Sequence, residues 1–98
     1  MTQIEIVRML LRQVVDPELG MNIIDLGLIY DIAIENNQVR ILLTMTSAAC
    51  PLAGVITDDV RTILSPLGFD HIDIQLTFDP PWSPDKMTAD ARQQLGLG

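Results

Sequence analysis

The chain has one cysteine, and a proline follows it directly in the segment TSAACPLAG. Apolar spacing after Pro51 predicts a helix, so Cys50 would be its N-cap and Pro51 its first residue, where a missing N–H costs nothing. Unpaired backbone N–H groups and the helix dipole at such an end lower the pKa of a thiol. The position therefore favours a reactive or metal-binding thiol over a buried one that acts as a small hydrophobe.

Carboxyl and hydroxyl groups stand in two segments that could lie near this thiol. Asp16 and Glu18 occur in a predicted loop, where they are either ligands or solvated residues of a helix exit. Three hydroxyl-bearing residues precede the thiol, and they could bond to a thiolate or simply cap the helix. These three residues are Thr44, Thr46 and Ser47.

The single histidine and the single tryptophan are weaker candidates. His71 is predicted to open the third strand, at the end of the second helix away from Cys50, so it is poorly placed as a base for a thiol enzyme. Trp82 follows two prolines in FDPPWSPDKM, which hold it on stiff backbone. It either packs against the core, which we favour, or anchors a partner through an exposed ring.

Length and charge limit the class of protein. Ninety-eight residues with 48% apolar side chains suit one domain with a single core, covering 1–98. A net charge of −7 argues against nucleic acid and anionic membranes as partners. One cysteine cannot form an internal disulfide, and neither a secretory signal nor a membrane-spanning run is seen. We therefore expect a cytoplasmic protein.

The N-terminal half reads as a helix and a hairpin. Apolar residues three or four positions apart predict a first helix from about Gln3 to Val15, ended by Asp16-Pro17 because the residue before a proline avoids helical geometry. Two alternating strands follow, joined by Asn36-Asn37, since asparagine tolerates positive φ. Their apolar positions are Leu28, Tyr30, Ile32 and Ile34, then Val39, Ile41, Leu43 and Met45.

The C-terminal half supplies a second helix, a third strand and a short last helix. The second helix begins at Pro51 and ends before Gly68, and alternation over 72–78 predicts the strand. Thr88 is the expected N-cap of the last helix and Gly96 its stop. A right-handed crossover makes the second and third strands parallel. The predicted fold is an α+β two-layer sandwich, a three-stranded mixed sheet with helices in the order α-β-β-α-β-α.

Three segments in register resemble a known family. DPELGMNIIDLGLIYDI, TMTSAACPLAG and LTFDPPWSPDKMT are similar to segments of the small iron-sulfur cluster assembly accessory proteins of the SufT and MIP type. That group includes the phenylacetate-degradation protein PaaD, whose branch carries a cysteine-rich C-terminal extension. Because this chain ends at QQLGLG, a stand-alone factor is the closer match. The resemblance covers nearly the whole chain.

The resemblance implies a non-enzymatic factor that assembles clusters or delivers them to apo iron-sulfur proteins, in contact with the cluster assembly machinery. It places the family's reactive cysteine at Cys50 and its acidic loop at Asp16 and Glu18. The family's hydroxyl-bearing strand end falls on Thr44, Thr46 and Ser47.

The expected cargo is a transient iron-sulfur cluster or iron ion. A cluster held entirely by protein generally needs four thiolates, and this chain has a single sulfur nucleophile. A homodimer or a client protein would therefore have to complete the ligand set around Cys50. Two alternatives stay open: an adaptor that binds clients and the assembly machinery without metal, and a thiol-dependent enzyme.

Overall fold

The computed structural model describes residues 2–46 and 53–96. It has the predicted α+β class and element order, with a two-stranded ribbon added between the first helix and the hairpin. The elements are α1 (Gln3–Leu11), β1 (Val15–Asp16), β2 (Met21–Asn22), β3 (Ile29–Glu35), β4 (Gln38–Leu43), α2 (Ala53–Leu64), a 3-10 turn (Ser65–Leu67), β5 (His71–Leu76), a second 3-10 turn (Pro84–Lys86) and α3 (Ala89–Gln94).

The mixed sheet has the strand order β3-β4-β5. β3 and β4 form an antiparallel hairpin, and β4 pairs with β5 in parallel, as the crossover predicted. Asn36 and Asn37 take φ values of 52° and 61° in the tight turn, which confirms the expected use of asparagine there.

Each face of this sheet has a distinct composition. Aligned residues form three apolar rows across the strands, and helices cover this face. The opposite face carries mostly exposed polar and charged residues such as Glu35, Arg40 and Asp73. The apolar rows are Ile34 with Val39 and Ile72; Ile32 with Ile41 and Ile74; and Ile29 with Leu43 and Leu76.

The core lies between the apolar sheet face and the two longer helices. Val7 and Leu11 of α1 and Ile56, Val60 and Leu64 of α2 are all fully buried, one helical turn or two apart. They join one continuous cluster with the sheet residues and with Ile23, Leu26, Leu28, Met45 and Met87. Among the described residues, no helix is long and apolar enough to cross a bilayer.

The first helix is shorter than predicted, because α1 ends at Leu11 and not at Val15. The apolar spacing continues to Val14 because that residue is buried like the helix residues before it. Val14 nevertheless lies in a turn after the helix, where its N–H donates to the Leu11 carbonyl at 3.1 Å. Val15 and Asp16 are instead extended in β1, paired with Asn22 and Met21. A β-branched residue followed by a residue that precedes proline favours this extended geometry.

The ribbon leads into a single helical turn, for which the sequence analysis predicted no element. The Asn22 carboxamide oxygen accepts the Asp25 N–H at 2.9 Å, which caps the start of the turn. At its end the Leu28 N–H bonds to the Ile23 carbonyl and the Gly27 N–H to the Ile24 carbonyl, with Gly27 at φ 76°. This is the pattern of a left-handed glycine stop.

One strand departs from simple alternation. The register shifts between Ile29 and Asp31, so Tyr30 is the extra residue of a bulge and leaves the alternating apolar set to which the sequence assigned it. Its hydroxyl donates instead to the Pro80 carbonyl at 2.8 Å.

The chain after β5 returns across the turn that precedes β3. Thr88 caps α3 by accepting the Ala91 N–H at 3.2 Å, and Gly96 at φ 75° follows its end, which confirms both predictions. The Thr88 N–H also donates to the Asp25 carbonyl at 2.9 Å. At Gly27 a methyl group would stand 2.1 Å from the Lys86 carbonyl oxygen, so only glycine permits this approach.

Candidate functional site

Asp16 organises the acidic loop between β1 and β2. Its side chain is 1% exposed, and Oδ1 accepts the Glu18 N–H at 2.8 Å and the Leu19 N–H at 3.4 Å. Its backbone carbonyl accepts the Gly20 N–H at 2.7 Å. Pro17, which has no N–H, fits between these bonds without loss. The carboxyl group therefore fixes the loop that presents Glu18.

The second carboxyl oxygen of Asp16 has a different environment. Oδ2 is buried and has no hydrogen-bond partner among residues 2–46 and 53–96. Buried polar atoms are nearly always partnered, because an unpaired one costs free energy. Asp16 therefore offers a buried oxygen to a donor or cation, while its other oxygen holds the loop.

Thr44, just after β4, is the second buried polar residue of the predicted set. It is fully buried, its N–H donates to the Leu28 carbonyl at 2.8 Å, and its hydroxyl has no partner among the described residues. Thr46 is half-buried and Glu18 is exposed. Ser47 and Cys50 lie outside the described residues, as does the predicted N-cap at Cys50.

A run of backbone hydrogen bonds connects the acidic loop with the end of β4. The Ile23 N–H donates to the Val14 carbonyl at 3.0 Å, the Leu28 N–H to the Ile23 carbonyl at 3.0 Å, and Thr44 completes the run at Leu28. Asp16 and Thr44 therefore belong to one hydrogen-bonded framework. Its middle part is the capped turn described above.

Asp25 forms a network that the sequence analysis missed. Arg12 lies 2.6 Å from its Oδ1 and the Asn22 amide 2.9 Å from its Oδ2. The Asn22 hydrogen bond is the main reason that the pKa of Asp25 falls below its ordinary value, and the hydrogen bond and charge of Arg12 add to it against partial burial. The spacing of Asn22, Asp25 and Gly27 could have revealed this turn. Asn22 is placed as a helix N-cap, Asp25 as the third residue after the cap and Gly27 as the helix stop.

His71 and Trp82 take structural positions. His71 is exposed and pairs with Gln38, whereas Leu43 and Leu76 pair at the opposite end of the sheet, next to Thr44. Trp82 is half-buried against the core, and its Nε1–H donates to the Leu26 carbonyl at 2.7 Å. This geometry agrees with the packing interpretation of the tryptophan.

The described residues do not by themselves form a complete metal site. No group of three or more His, Asp or Glu side chains in residues 2–46 and 53–96 is arranged to hold a metal ion. One buried oxygen of Asp16 would not be enough to hold iron, so a metal ion bound nearby would need ligands from elsewhere.

Comparison with known proteins decides the family. The model of the family described as "Iron-sulfur cluster assembly protein" matches residues 4–69, which include every candidate site residue except the two weaker ones, His71 and Trp82. The chain belongs to this family. It is 43% identical over 89 residues to the Fe-S protein maturation auxiliary factor YitW of Bacillus subtilis, and this match covers 89% of the chain and 87% of the relative.

Other relatives of the family agree with this assignment. The Fe-S protein maturation auxiliary factor SufT of Staphylococcus aureus is 35% identical, with 86% of this chain and 98% of the relative covered. A crystal structure of a domain of unknown function from Bacillus anthracis superposes with a TM-score of 0.88 at 41% identity, covering 96% of this chain and 92% of that one.

Proposed function

We propose that this chain is an iron-sulfur maturation factor that helps to assemble clusters or to deliver them to apo-proteins. Membership of the iron-sulfur cluster assembly family carries the proposal, because the matched residues 4–69 contain the acidic loop, the strand end and the only cysteine. The partners are apo iron-sulfur proteins and the assembly machinery. The site of action is the cytoplasm.

Cys50 acts as a transient thiolate ligand for iron or a cluster, which is the cargo. Its position before Pro51 supports this role, since a predicted helix N-terminus favours the thiolate. Oδ2 of Asp16, which is buried and has no partner within the part of the chain that the structure describes, supports a second contact, either to the metal or to a group that binds it. Glu18 lies in the same fixed loop and would be the exposed carboxylate of the site.

The cargo would be held incompletely and therefore released readily. One cysteine leaves a cluster short of the four thiolates that it commonly takes, and the described residues add no three-residue metal group. A client or second subunit would supply the missing ligands. Transfer then amounts to replacement of Cys50 by thiolates of the client.

Anaerobic reconstitution with ferrous iron and sulfide tests this role directly. Wild type, Cys50→Ser and Cys50→Ala are each mixed with a purified apo-ferredoxin as the probe client, and cluster loading is followed by native mass spectrometry. We expect both variants to lose about tenfold or more in transfer rate, which corresponds to about 1.4 kcal/mol.

Two further variants distinguish a specific effect of the Asp16 carboxylate on transfer from a general effect of removing one negative charge. Asp16→Asn keeps the Oδ1 acceptor and changes Oδ2, whereas Asp31→Asn changes an exposed carboxylate on β3 and is the matched control. We expect slower transfer only for Asp16→Asn. Equal transfer by wild type and both Cys50 variants would rule out the thiolate role.

A metal-free adaptor is the second candidate, favoured by the lack of a three-residue metal group among the described residues. An adaptor would bind the client equally well with serine at position 50 and would never carry iron. Iron content per chain after desalting distinguishes the two candidates. We expect no covalent turnover of a small substrate, because His71 lies at the end of the sheet away from Thr44.

A further inference from the structure

β5 is an edge strand of the described sheet, and half of its backbone groups point away from β4. The Thr77 N–H donates to the Leu43 carbonyl at 2.9 Å. The backbone N–H and C=O groups of odd-numbered residues of this strand therefore point towards β4, and those of even-numbered residues point away from the sheet. Arg61 confirms this orientation by donating from Nη1 to the outward Ile72 carbonyl at 2.7 Å. The N–H and C=O groups of Ile74 and Leu76 form the rest of the outward edge.

This edge has little of the usual protection against pairing. The strand His71–Leu76 contains no lysine, proline or bulge, although Asp73 is charged and Arg61 covers the Ile72 carbonyl. Leu76 is 43% exposed and Phe78 39% exposed. The other edge strand, β3, is interrupted by a bulge at Tyr30 and is less suited to pairing.

We infer that β5 pairs with β5 of a second copy of this chain, antiparallel about a twofold axis through Gln75. In this register Ile74 of each copy faces Leu76 of the other, and the two residues exchange backbone hydrogen bonds. Ile72 faces Phe78 of the second copy, so both exposed apolar residues gain apolar partners. Asp73 faces Thr77, which leaves no like charges opposed.

Neighbouring registers are worse for identifiable reasons. An axis through Leu76 would place Asp73 opposite Asp79 of the second copy, and directly opposed like charges destabilise a strand pair. An axis through Ile74 would pair Ile72 with Leu76, so its inner hydrogen bonds would need the Ile72 carbonyl, which Arg61 already occupies. With the axis through Gln75, only the outer pair of Ile72 with Phe78 would need that carbonyl. Of these three registers, the one centred on Gln75 is therefore the most favourable.

The pairing joins two three-stranded sheets into one of six strands. A single strand-to-strand contact buries less than the roughly 1,200–2,000 Å² of a standard stable interface, so we expect a reversible dimer at micromolar or weaker affinity. The inference does not depend on the proposed cluster chemistry, because it uses only the edge of β5 and Arg61.

Sedimentation equilibrium of the whole chain without added metal measures the association. We expect the apparent mass of the wild type to shift from 10.9 kDa towards twice that value as its concentration rises. Leu76→Lys places a charge on the edge and should weaken association about tenfold or more. Leu95→Lys is the matched control, since Leu95 is 38% exposed on another surface, and it should associate like wild type.

Disulfide trapping tests the register. In a Cys50→Ser background, Gln75→Cys puts two sulfur atoms on the twofold axis, where Cα atoms about 4.5 Å apart allow a disulfide. Asp73→Cys leaves the two thiols about 13 Å apart along the strands, too far to bridge. We expect Gln75→Cys to cross-link at least about tenfold faster under mild oxidation.

Three results would overturn the inference. The chain could stay monomeric to millimolar concentration, Leu76→Lys could associate as wild type does, or the two cysteine variants could cross-link at equal rates. A monomeric chain in which Leu76→Lys weakens binding to the apo-ferredoxin would assign the edge to a client segment and reject the dimer. None of these results bears on whether Cys50 is needed for cluster transfer.

Discussion

The indole Nε1–H of Trp82 donates to the backbone carbonyl of Leu26 at 2.7 Å, across 56 positions of sequence. It is one of several bonds that join the segment after β5 to the turn before β3 and to the start of β3. The Thr88 N–H donates to the Asp25 carbonyl and the Tyr30 hydroxyl to the Pro80 carbonyl. The C-terminal segment therefore helps to hold the framework on which Asp16 and Thr44 lie.

Trp82→Phe should lower the free energy of unfolding by about 1–3 kcal/mol, because it leaves the carbonyl of the buried Leu26 unpaired and removes packed apolar surface. Tyr30→Phe, which removes the exposed hydrogen bond to Pro80, is the control and should cost less than about 1 kcal/mol. Urea unfolding measures both. Equal losses would mean that the indole bond is not the important contact.

Gly27→Ala should be among the most damaging single substitutions in the described chain. Alanine is disfavoured at the φ of 76°, and its methyl group would stand 2.1 Å from the Lys86 carbonyl oxygen. We expect the free energy of unfolding to fall by about 3 kcal/mol or more. Gly68→Ala shares a φ of 76° but meets open space, so it should lose only about 1–2 kcal/mol. Similar losses for the two variants would contradict the close backbone approach.

Asp25 should make the stability of the chain depend on pH. Its folded-state pKa is lowered, so its contribution is complete well above about 3.8 and is lost as pH falls through the folded pKa. Asp25→Asn should therefore be less stable than wild type near neutral pH and converge with it in acid. Urea unfolding at a series of pH values measures this difference. Asp58→Asn, at an exposed position on α2, is the control, and its free energy of unfolding should follow that of wild type at every pH.

Two substitutions of Asp16 should distinguish its structural role in the loop from a chemical role in cluster transfer. Asp16→Ala removes the acceptor for the Glu18 and Leu19 N–H groups and should destabilise the protein by about 1–3 kcal/mol. Asp16→Asn keeps an acceptor oxygen and should stay within about 1 kcal/mol of wild type while cluster transfer falls. If Asp16→Asn transferred clusters normally, the carboxylate would serve only to shape the loop.

Thr44→Val should leave stability unchanged or raise it by up to about 1 kcal/mol, since the hydroxyl is buried without a partner among the described residues. Thr57→Val is the control, because the Thr57 hydroxyl donates to the Gly54 carbonyl at 3.0 Å and its loss should cost up to about 1 kcal/mol. A clear loss of stability in Thr44→Val would show that its hydroxyl is hydrogen-bonded after all.

The strands and helices with strong periodicity could be predicted from the sequence. The hairpin at Asn36-Asn37, the parallel third strand and the cap at Thr88 followed from alternation and from residue preferences, and all are confirmed. The helix end at Val15 was wrong because Val14 is buried whether the backbone is helical or not. Burial periodicity reports the face of a residue and does not by itself report its φ and ψ.

The candidate site was predictable only as a set of residue types. Sequence spacing placed Asp16 in a loop, but could not show that one of its oxygens accepts from Glu18 and Leu19 while the other has no partner among residues 2–46 and 53–96. That distinction depends on tertiary burial. The roles of Cys50 and Ser47 stay predictions, as does a partner-binding role for Trp82.

The parallel pairing of Leu43 with Leu76 has a consequence for the order of folding. α1, the ribbon and the hairpin follow one another in sequence and can begin to form while the chain is still being synthesised. β4 must then wait for all of α2 to be made before β5 arrives, because a parallel pair needs a crossover. During that interval a nascent chain ending before His71 would expose the unpaired backbone edge of β4 and would be most prone to aggregate.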